Sequence, residues 1–458
     1  MHASTASLAA LGVAAPISDM KAFQALSLTT VIVYLNPGLR EADGWLLIAR
    51  WIPLVAASTG SLIRRYKNPS PWPTSLPSLV TFVVVAGMLS ALFSVDPRMS
   101  LLKLGTFCVG SVGALLCSNG VAVDPDRIFV WLRAVFAVVV GFSLPLLATA
   151  VGYRINGSGF QGIWDHPNGL AVYLVPMTAF LAARLIVDAQ DSKRDIILVA
   201  SGTVAIVAAA SRTAVLAAML GIAVSLLCVA GRKHDSLSTH FTLKRLMRLS
   251  PLVVAGLLVA FMAKDPMWRA ASEFAQKRGT ETGGLAELLN ASFTLSRGGQ
   301  IETTLENIRT RPFGGVGFGL ESSEGAIHAE LSQALNIPLT SPTEAGFLPL
   351  AVLGQVGIVG TFAFVILLWT IASPIVKYGS MPLLILFWTT IFVNFGEMAF
   401  FATGGLGLHI WILVGFVHAL ASRQRESARL RPRHSTGSNS VVNVDRRHRT
   451  TRAACANA

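Results

Sequence analysis

Runs of about twenty apolar residues recur along this 458-residue chain, and they limit its fold more than any single motif does. That length lets an α-helix cross a hydrocarbon core about 30 Å thick. The runs fall at 22–37, 45–63, 77–95, 101–122, 128–151, 168–187, 195–211, 213–230, 249–263, 345–373, 380–400 and 403–421, twelve in all. In lipid every backbone polar group must find its partner within the protein, which favours helices. Only 13% of residues are charged, against about a quarter in an ordinary soluble domain. The expected fold class is therefore all-α, a polytopic integral membrane protein with about twelve transmembrane helices.

Charge sets the expected orientation. Arg64-Arg65-Lys67, Lys193-Arg194, Arg232-Lys233 with Lys244-Arg245-Arg248, Lys377 and an Arg-rich tail all follow even-numbered spans. The positive-inside rule then places both termini in the cytoplasm. Segments 152–167 and 264–343 and the junction Ser211-Arg212 fall outside. Residues 1–21 lack the basic start and cleavage site of a signal peptide and are expected to remain as a cytoplasmic segment. The tail 422–458 holds nine Arg and two acids, which is seven of the formal net charge of +13. Its Ser, Arg and Asn content predicts a disordered cytoplasmic end suited to fixing topology or touching anionic lipid. Nucleic acid is not an expected partner. Four cysteines without metal-ligand spacing imply neither a disulfide frame nor a zinc site. No Walker sequence is present, so an energy-rich substrate or an ion gradient must drive any chemistry.

The outer segment between spans nine and ten concentrates polar residues. From Lys264 to Thr343 it has seven Lys/Arg and nine Asp/Glu, and a loop of that length is a natural seat of function. Ile301, Leu305 and Ile308 predict a short amphipathic helix. Arg311-Pro312-Phe313-Gly314-Gly315-Val316-Gly317-Phe318-Gly319 then stops it and lets the backbone approach something closely.

Several side chains stand where charge is costly. Arg212 joins spans seven and eight, and it either snorkels to headgroups or grips phosphate oxygens with its planar fork. Ser211 and Thr213 add hydroxyls. Arg297 and Arg311 are solvated loop charges or complete the same anion site. Trp164-Asp165-His166-Pro167-Asn168-Gly169 precedes span six, where Asp165 and Asn168 cap the helix or, with His166, serve a site. Glu397, near the outer end of span eleven, is a proton relay or a partner for an Arg. His328 and Glu344 are candidates for a general base above the bilayer. Arg50 and Arg133 suggest pairing with an acid or snorkelling.

Taken in order, His166-Pro167-Asn168-Gly169-Leu170-Ala171, Ser211-Arg212-Thr213, the 311–319 run and Gly346-Phe347-Leu348 before Leu353-Gly354-Gln355-Val356-Gly357-Ile358-Val359-Gly360 resemble the bacterial O-antigen ligase and polysaccharide polymerase superfamily. The likeness covers roughly residues 150–420. It implies a glycosyltransferase that moves a glycan from undecaprenyl diphosphate to an acceptor sugar hydroxyl at the outer face, without nucleotide or required metal. It implies that Arg212 and Arg297 hold the diphosphate and that a base deprotonates the acceptor. The ligase branch has a His at the end of the large loop, whereas Ser341-Pro342-Thr343-Glu344-Ala345 has none. That departure favours a polymerase of exopolysaccharide or O-antigen repeats over a ligase onto lipid A-core or another acceptor. A flippase and a chain-length regulator are the implied partners. A lipid-linked glycan transporter is the competing class, though transporters of this size usually show related halves, and here the motifs crowd into the second half.

Overall fold

The structure, a computed structural model, describes residues 17–36, 51–67, 72–122, 124–153, 159–187, 192–232, 299–320 and 347–430. Twelve α-helices lie within these residues: α1 Ile17–Val33, α2 Trp51–Lys67, α3 Leu76–Phe93, α4 Pro97–Val121, α5 Pro125–Ser143, α6 Pro167–Val187, α7 Lys193–Ala208, α8 Arg212–Ala230, α9 Gly299–Thr310, α10 Leu348–Tyr378, α11 Met381–Phe392 and α12 Leu406–Leu430. No named strand occurs among the described residues, only one isolated bridge between Leu35 and Trp164. Seven helices (α3, α4, α5 with its 3-10 extension, α6, α8, α10 and α12) are long and apolar enough to cross a membrane. Helices α1, α2 and α7 are shorter, as is α11 with its 3-10 extension. The ninth apolar run, 249–263, lies outside the described residues.

Local chemistry explains several helix starts. Asp96 accepts from the amide of Met99 at 3.0 Å and precedes Pro97, while Asp124 accepts from Arg127 before Pro125. Both place an acceptor at the N-cap and a proline at the first helical position, where its missing N–H costs nothing. Ser192 does the same service for Asp195.

Described turns join neighbouring helices at the two ends of the bundle. At one end, here the upper, the Asn36 amide donates to the Ile163 carbonyl at 2.6 Å, Phe160 donates to Ala208 at 3.0 Å, and Val95 donates to Val316 at 3.0 Å. The Tyr34 hydroxyl also accepts from the Leu406 amide there. At the lower end Asp19 pairs with Arg64, Arg133 with Asp195, and the Arg232 fork donates to the carbonyls of Val376 and Gly379 at 2.8 Å each. The cation-rich clusters at Arg64-Arg65-Lys67, Lys193-Arg194 and Lys377 share this lower end.

Aromatic rings fill the centre. Phe82, Phe107, Phe318 and Phe401 meet within 6.3 Å, centroid to centroid, and Trp411 packs on Phe107. Elsewhere small residues bring backbones together: a Cβ on Gly221 of α8 would run into Thr389 of α11. Apolar lipid provides little drive for helix association, so such close van der Waals approach holds helices together.

Candidate functional site

The upper corner between α6, α8 and the segment after α11 collects most of the described candidates. Helices α7 and α8 are joined by a tight turn in which Ala210 has φ +50°. An L-residue there costs about 1–2 kcal/mol, held in place by packing such as the Phe160–Ala208 bond. The turn delivers Ser211 as N-cap and Arg212 as the first residue of α8. Ser211 Oγ is buried and has no hydrogen-bond partner among the described atoms. The side chain of Arg212 lies outside the described atoms, so only its backbone position is stated. Thr213 presses on Gly396, where a Cβ would find no room.

Glu397 follows Gly396. Span eleven was expected to continue as helix to residue 400, but α11 ends at Phe392, a 3-10 turn covers Val393–Phe395, and residues 396–405 are irregular. Gly396, Gly404 and Gly405 break the pattern there. Glu397 therefore sits on an irregular connector rather than inside a helix. Its Oε1 accepts from Asn168 Nδ2 at 2.6 Å. Asn168 thus does not cap α6 with its side chain. Its backbone amide donates instead to Nδ1 of the exposed His166 at 3.2 Å.

The Trp164–Gly169 hexapeptide is held from below. Trp164 is buried and stacks on Tyr34 at 5.3 Å, with Tyr173 at 4.8 Å, and the Asp165 amide donates to the Tyr34 carbonyl. The 166–168 stretch and Glu397, far apart in sequence, are joined by the Asn168–Glu397 bond, and the contact of Gly396 with Thr213 sets the start of α8 beside Glu397.

The glycine-rich run is the second feature of the upper end. Helix α10 breaks at Gly357, whose φ is +64°. The carbonyls of Gly354 and Gln355 accept from the amides of Val316 and Gly317 at 2.9 Å, and the Ile358 amide donates to the Pro312 carbonyl at 2.8 Å. The loop therefore lies zipped along the broken helix, with Gly315 and Gly317 also at positive φ. A Cβ on Gly357 would strike the Phe313 carbonyl. Irregular backbone at membrane depth is tolerated when protein satisfies it. What the glycines approach is α10 itself.

Two side chains complete the zipper. Lys103 Nζ, buried, donates to the Gly319 carbonyl at 2.6 Å. Gln355 Oε1 accepts from the Gly319 amide at 3.0 Å, and its Nε2 lies 3.9 Å from Met398 Sδ, beside Glu397. Arg311, exposed, donates through Nη1 to the Phe93 carbonyl at 2.7 Å, which ties the loop to the top of α3.

Arg297, His328 and Glu344 lie outside the described residues, as does Arg50. Arg133 has its acid: Asp195, at 3.3 Å, at the opposite end of the bundle from the corner. Sequence reading missed Gln355, Lys103 and the break at Gly357. Lys103 carried a usable signal, being a lone cation inside an apolar run.

A family model described as O-antigen ligase matches residues 196–365. That stretch runs from α7 through the break in α10 and takes in Arg212 and the glycine-rich loop. Asn168 and Glu397 lie on either side of it and are joined to it by the fold. The expected resemblance to the O-antigen ligase superfamily is thus supported by that match. No curated protein matches the chain.

Proposed function

From the likeness to O-antigen ligases and the residues gathered at the upper end, we propose that this chain is a membrane glycosyltransferase using a lipid-diphosphate-linked glycan. The observation that carries the reading is the family match over 196–365, which spans Arg212 and the loop at the same end of the bundle. The upper end faces the periplasm of a bacterial inner membrane and both termini lie in the cytoplasm. The distribution of cations toward the lower end supports that orientation.

The donor is an undecaprenyl-diphosphate oligosaccharide. Arg212 and Arg297, with Arg311, bind its diphosphate. The acceptor hydroxyl oxygen attacks the anomeric carbon, the bond from that carbon to the diphosphate oxygen breaks, and its electron pair leaves with the diphosphate. Guanidinium groups aimed at that oxygen lower the barrier because charge develops there only in the transition state. The hydroxyl proton passes to a base, Glu344 or His328, and the anomeric centre inverts. No metal or nucleotide takes part.

The preferred reaction is polymerisation of exopolysaccharide or O-antigen repeats, because the end of the large loop offers Glu344 where the ligase branch has a His. A flippase supplies the donor and a chain-length regulator acts with the enzyme. The description of the matching family favours a second reading, transfer of the finished glycan to lipid A-core or another acceptor. Reconstitution in liposomes with the host's lipid-linked oligosaccharide tests these by product. Multiples of the repeat on the lipid support polymerisation. A glycan moved onto an added acceptor supports ligation. A glycan that crosses the bilayer chemically unchanged supports a transporter and overturns the enzyme reading.

A further inference from the structure

Asn168 and Glu397 face a question that phosphate binding leaves open, namely how the first sugar of the donor is recognised. We infer that the Asn168–Glu397 pair is the subsite for hydroxyls of the sugar bonded directly to the lipid diphosphate. The inference rests on the glycosyltransferase reading above and adds a specificity-determining pair to it.

Gly396 lies against Thr213 so closely that a Cβ has no space. Glu397 is the next residue after Gly396 and Arg212 the one before Thr213. The pair therefore borders the N-terminus of α8, a 19-residue helix whose first amides and dipole favour an anion. Ser211 Oγ, nine-tenths buried and unpartnered among the described atoms, stands at that same terminus. A diphosphate at the α8 terminus puts its first sugar, one glycosidic oxygen away, beside the pair.

Chemistry follows position. A carboxylate has about four acceptor sites, and an amide has two N–H donors and a carbonyl oxygen. The 2.6 Å bond from Asn168 Nδ2 to Glu397 Oε1 fixes the two groups relative to one another. It leaves the amide a carbonyl acceptor and a second N–H, set beside a carboxylate. Neighbouring ring hydroxyls of a sugar both donate and accept, which this array matches. Both residues are half-buried rather than sealed in the core, and the exposed His166 ring, its Nδ1 fixed by the Asn168 amide, extends the polar surface outward. Glu397 lies on an irregular connector, where specificity residues can vary without repacking a helix.

The test compares kcat/KM for the host's lipid-linked oligosaccharide with synthetic donors, each lacking one ring hydroxyl on the first sugar. Wild type should lose about 10–100-fold with at least one of these, the range for a hydrogen bond to a charged group. Glu397→Gln should lose a similar factor with the complete donor, and its further loss with the discriminating deoxy donor should shrink to about threefold or less. Asn168→Ala provides the same comparison should Glu397→Gln not fold, with folding checked by thermal unfolding. A merely structural role lowers all donors equally and leaves the deoxy penalty whole; that result, or no discrimination by wild type at any position, overturns the subsite while leaving the glycosyltransferase reading intact. Absence of transfer by wild type from the complete donor overturns both.

Discussion

Asn168 and Glu397 stand 229 residues apart in the chain and are joined by a 2.6 Å hydrogen bond at the upper end of the bundle. The bond has a polarity that a charge exchange tests. Asn168→Asp sets one carboxylate against another, and like charges at this distance destabilise. Activity should fall at least about tenfold and thermal stability should drop. Combining it with Glu397→Gln restores one amide and one carboxylate in exchanged places. The double variant should regain the stability lost, as measured by thermal unfolding in detergent. Equal stability for the single and double variants would contradict a direct bond.

Gly357 should be the least replaceable glycine in α10. Its φ of +64° and the Phe313 carbonyl at the Cβ position penalise alanine twice. Gly357→Ala is expected to cost about 2–4 kcal/mol from conformation and displacement of the loop. Gly105 of α4 has nothing within 4 Å of a built Cβ, so Gly105→Ala should be neutral or slightly stabilising. Thermal unfolding of the two variants side by side checks the contrast.

Lys103 should matter through the loop. Lys103→Met removes the ammonium that meets the Gly319 carbonyl and leaves a buried acceptor without that donor. The expected cost is about 1–3 kcal/mol. Hydrogen exchange should quicken at the amides of residues 315–320, and less so in α12.

Arg232 should resist replacement by lysine. Its Nε, Nη1 and Nη2 reach the carbonyls of Val376, Gly379 and Ile375 at the C-terminal end of α10. The Val376 carbonyl is in the last turn of the helix and Gly379 is its C-cap, where carbonyls are favourably met by a cation; the Ile375 carbonyl also accepts from the Gly379 amide. A lysine is a point charge without the fork. Arg232→Ala should cost about 2 kcal/mol, and Arg232→Lys should recover less than half of it in the same unfolding assay.

Orientation is testable by chemistry alone. Arg98, exposed at the upper end, and Lys193, exposed at the lower, are replaced one at a time by cysteine. A membrane-impermeant maleimide should label Arg98→Cys in cells with a permeabilised outer membrane. Lys193→Cys should be labelled only after the inner membrane is opened. The reverse pattern would invert the topology.

Much of this fold was legible because hydropathy depends on length, and length is read directly from the chain. Eleven of the twelve apolar runs contain a helix among the described residues. The charge clusters from which an orientation was expected were also local in sequence. What stayed hidden was non-local. The break at Gly357 looks like ordinary helical sequence, since the Val356-Gly357-Ile358 run is apolar and glycine occurs elsewhere in these helices without a kink. Only the facing loop makes the left-handed turn necessary. Likewise the sequence around Asn168 left a cap and a site role open, because a cap is local whereas its partner Glu397 is brought in by the fold. Glu397 was picked out by its charge in an apolar run, yet its helix was overextended, because apolar residues 398–402 continue a hydropathic pattern that the backbone does not follow.

The most direct test of the account is turnover by Arg212→Ala beside wild type in proteoliposomes carrying the host's lipid-diphosphate-linked oligosaccharide. Both must show the same thermal unfolding. Wild type should release undecaprenyl diphosphate as the glycan is transferred, and the variant should do so at least about a hundredfold more slowly. Release at the wild-type rate by a folded Arg212→Ala protein would contradict a diphosphate site at the start of α8.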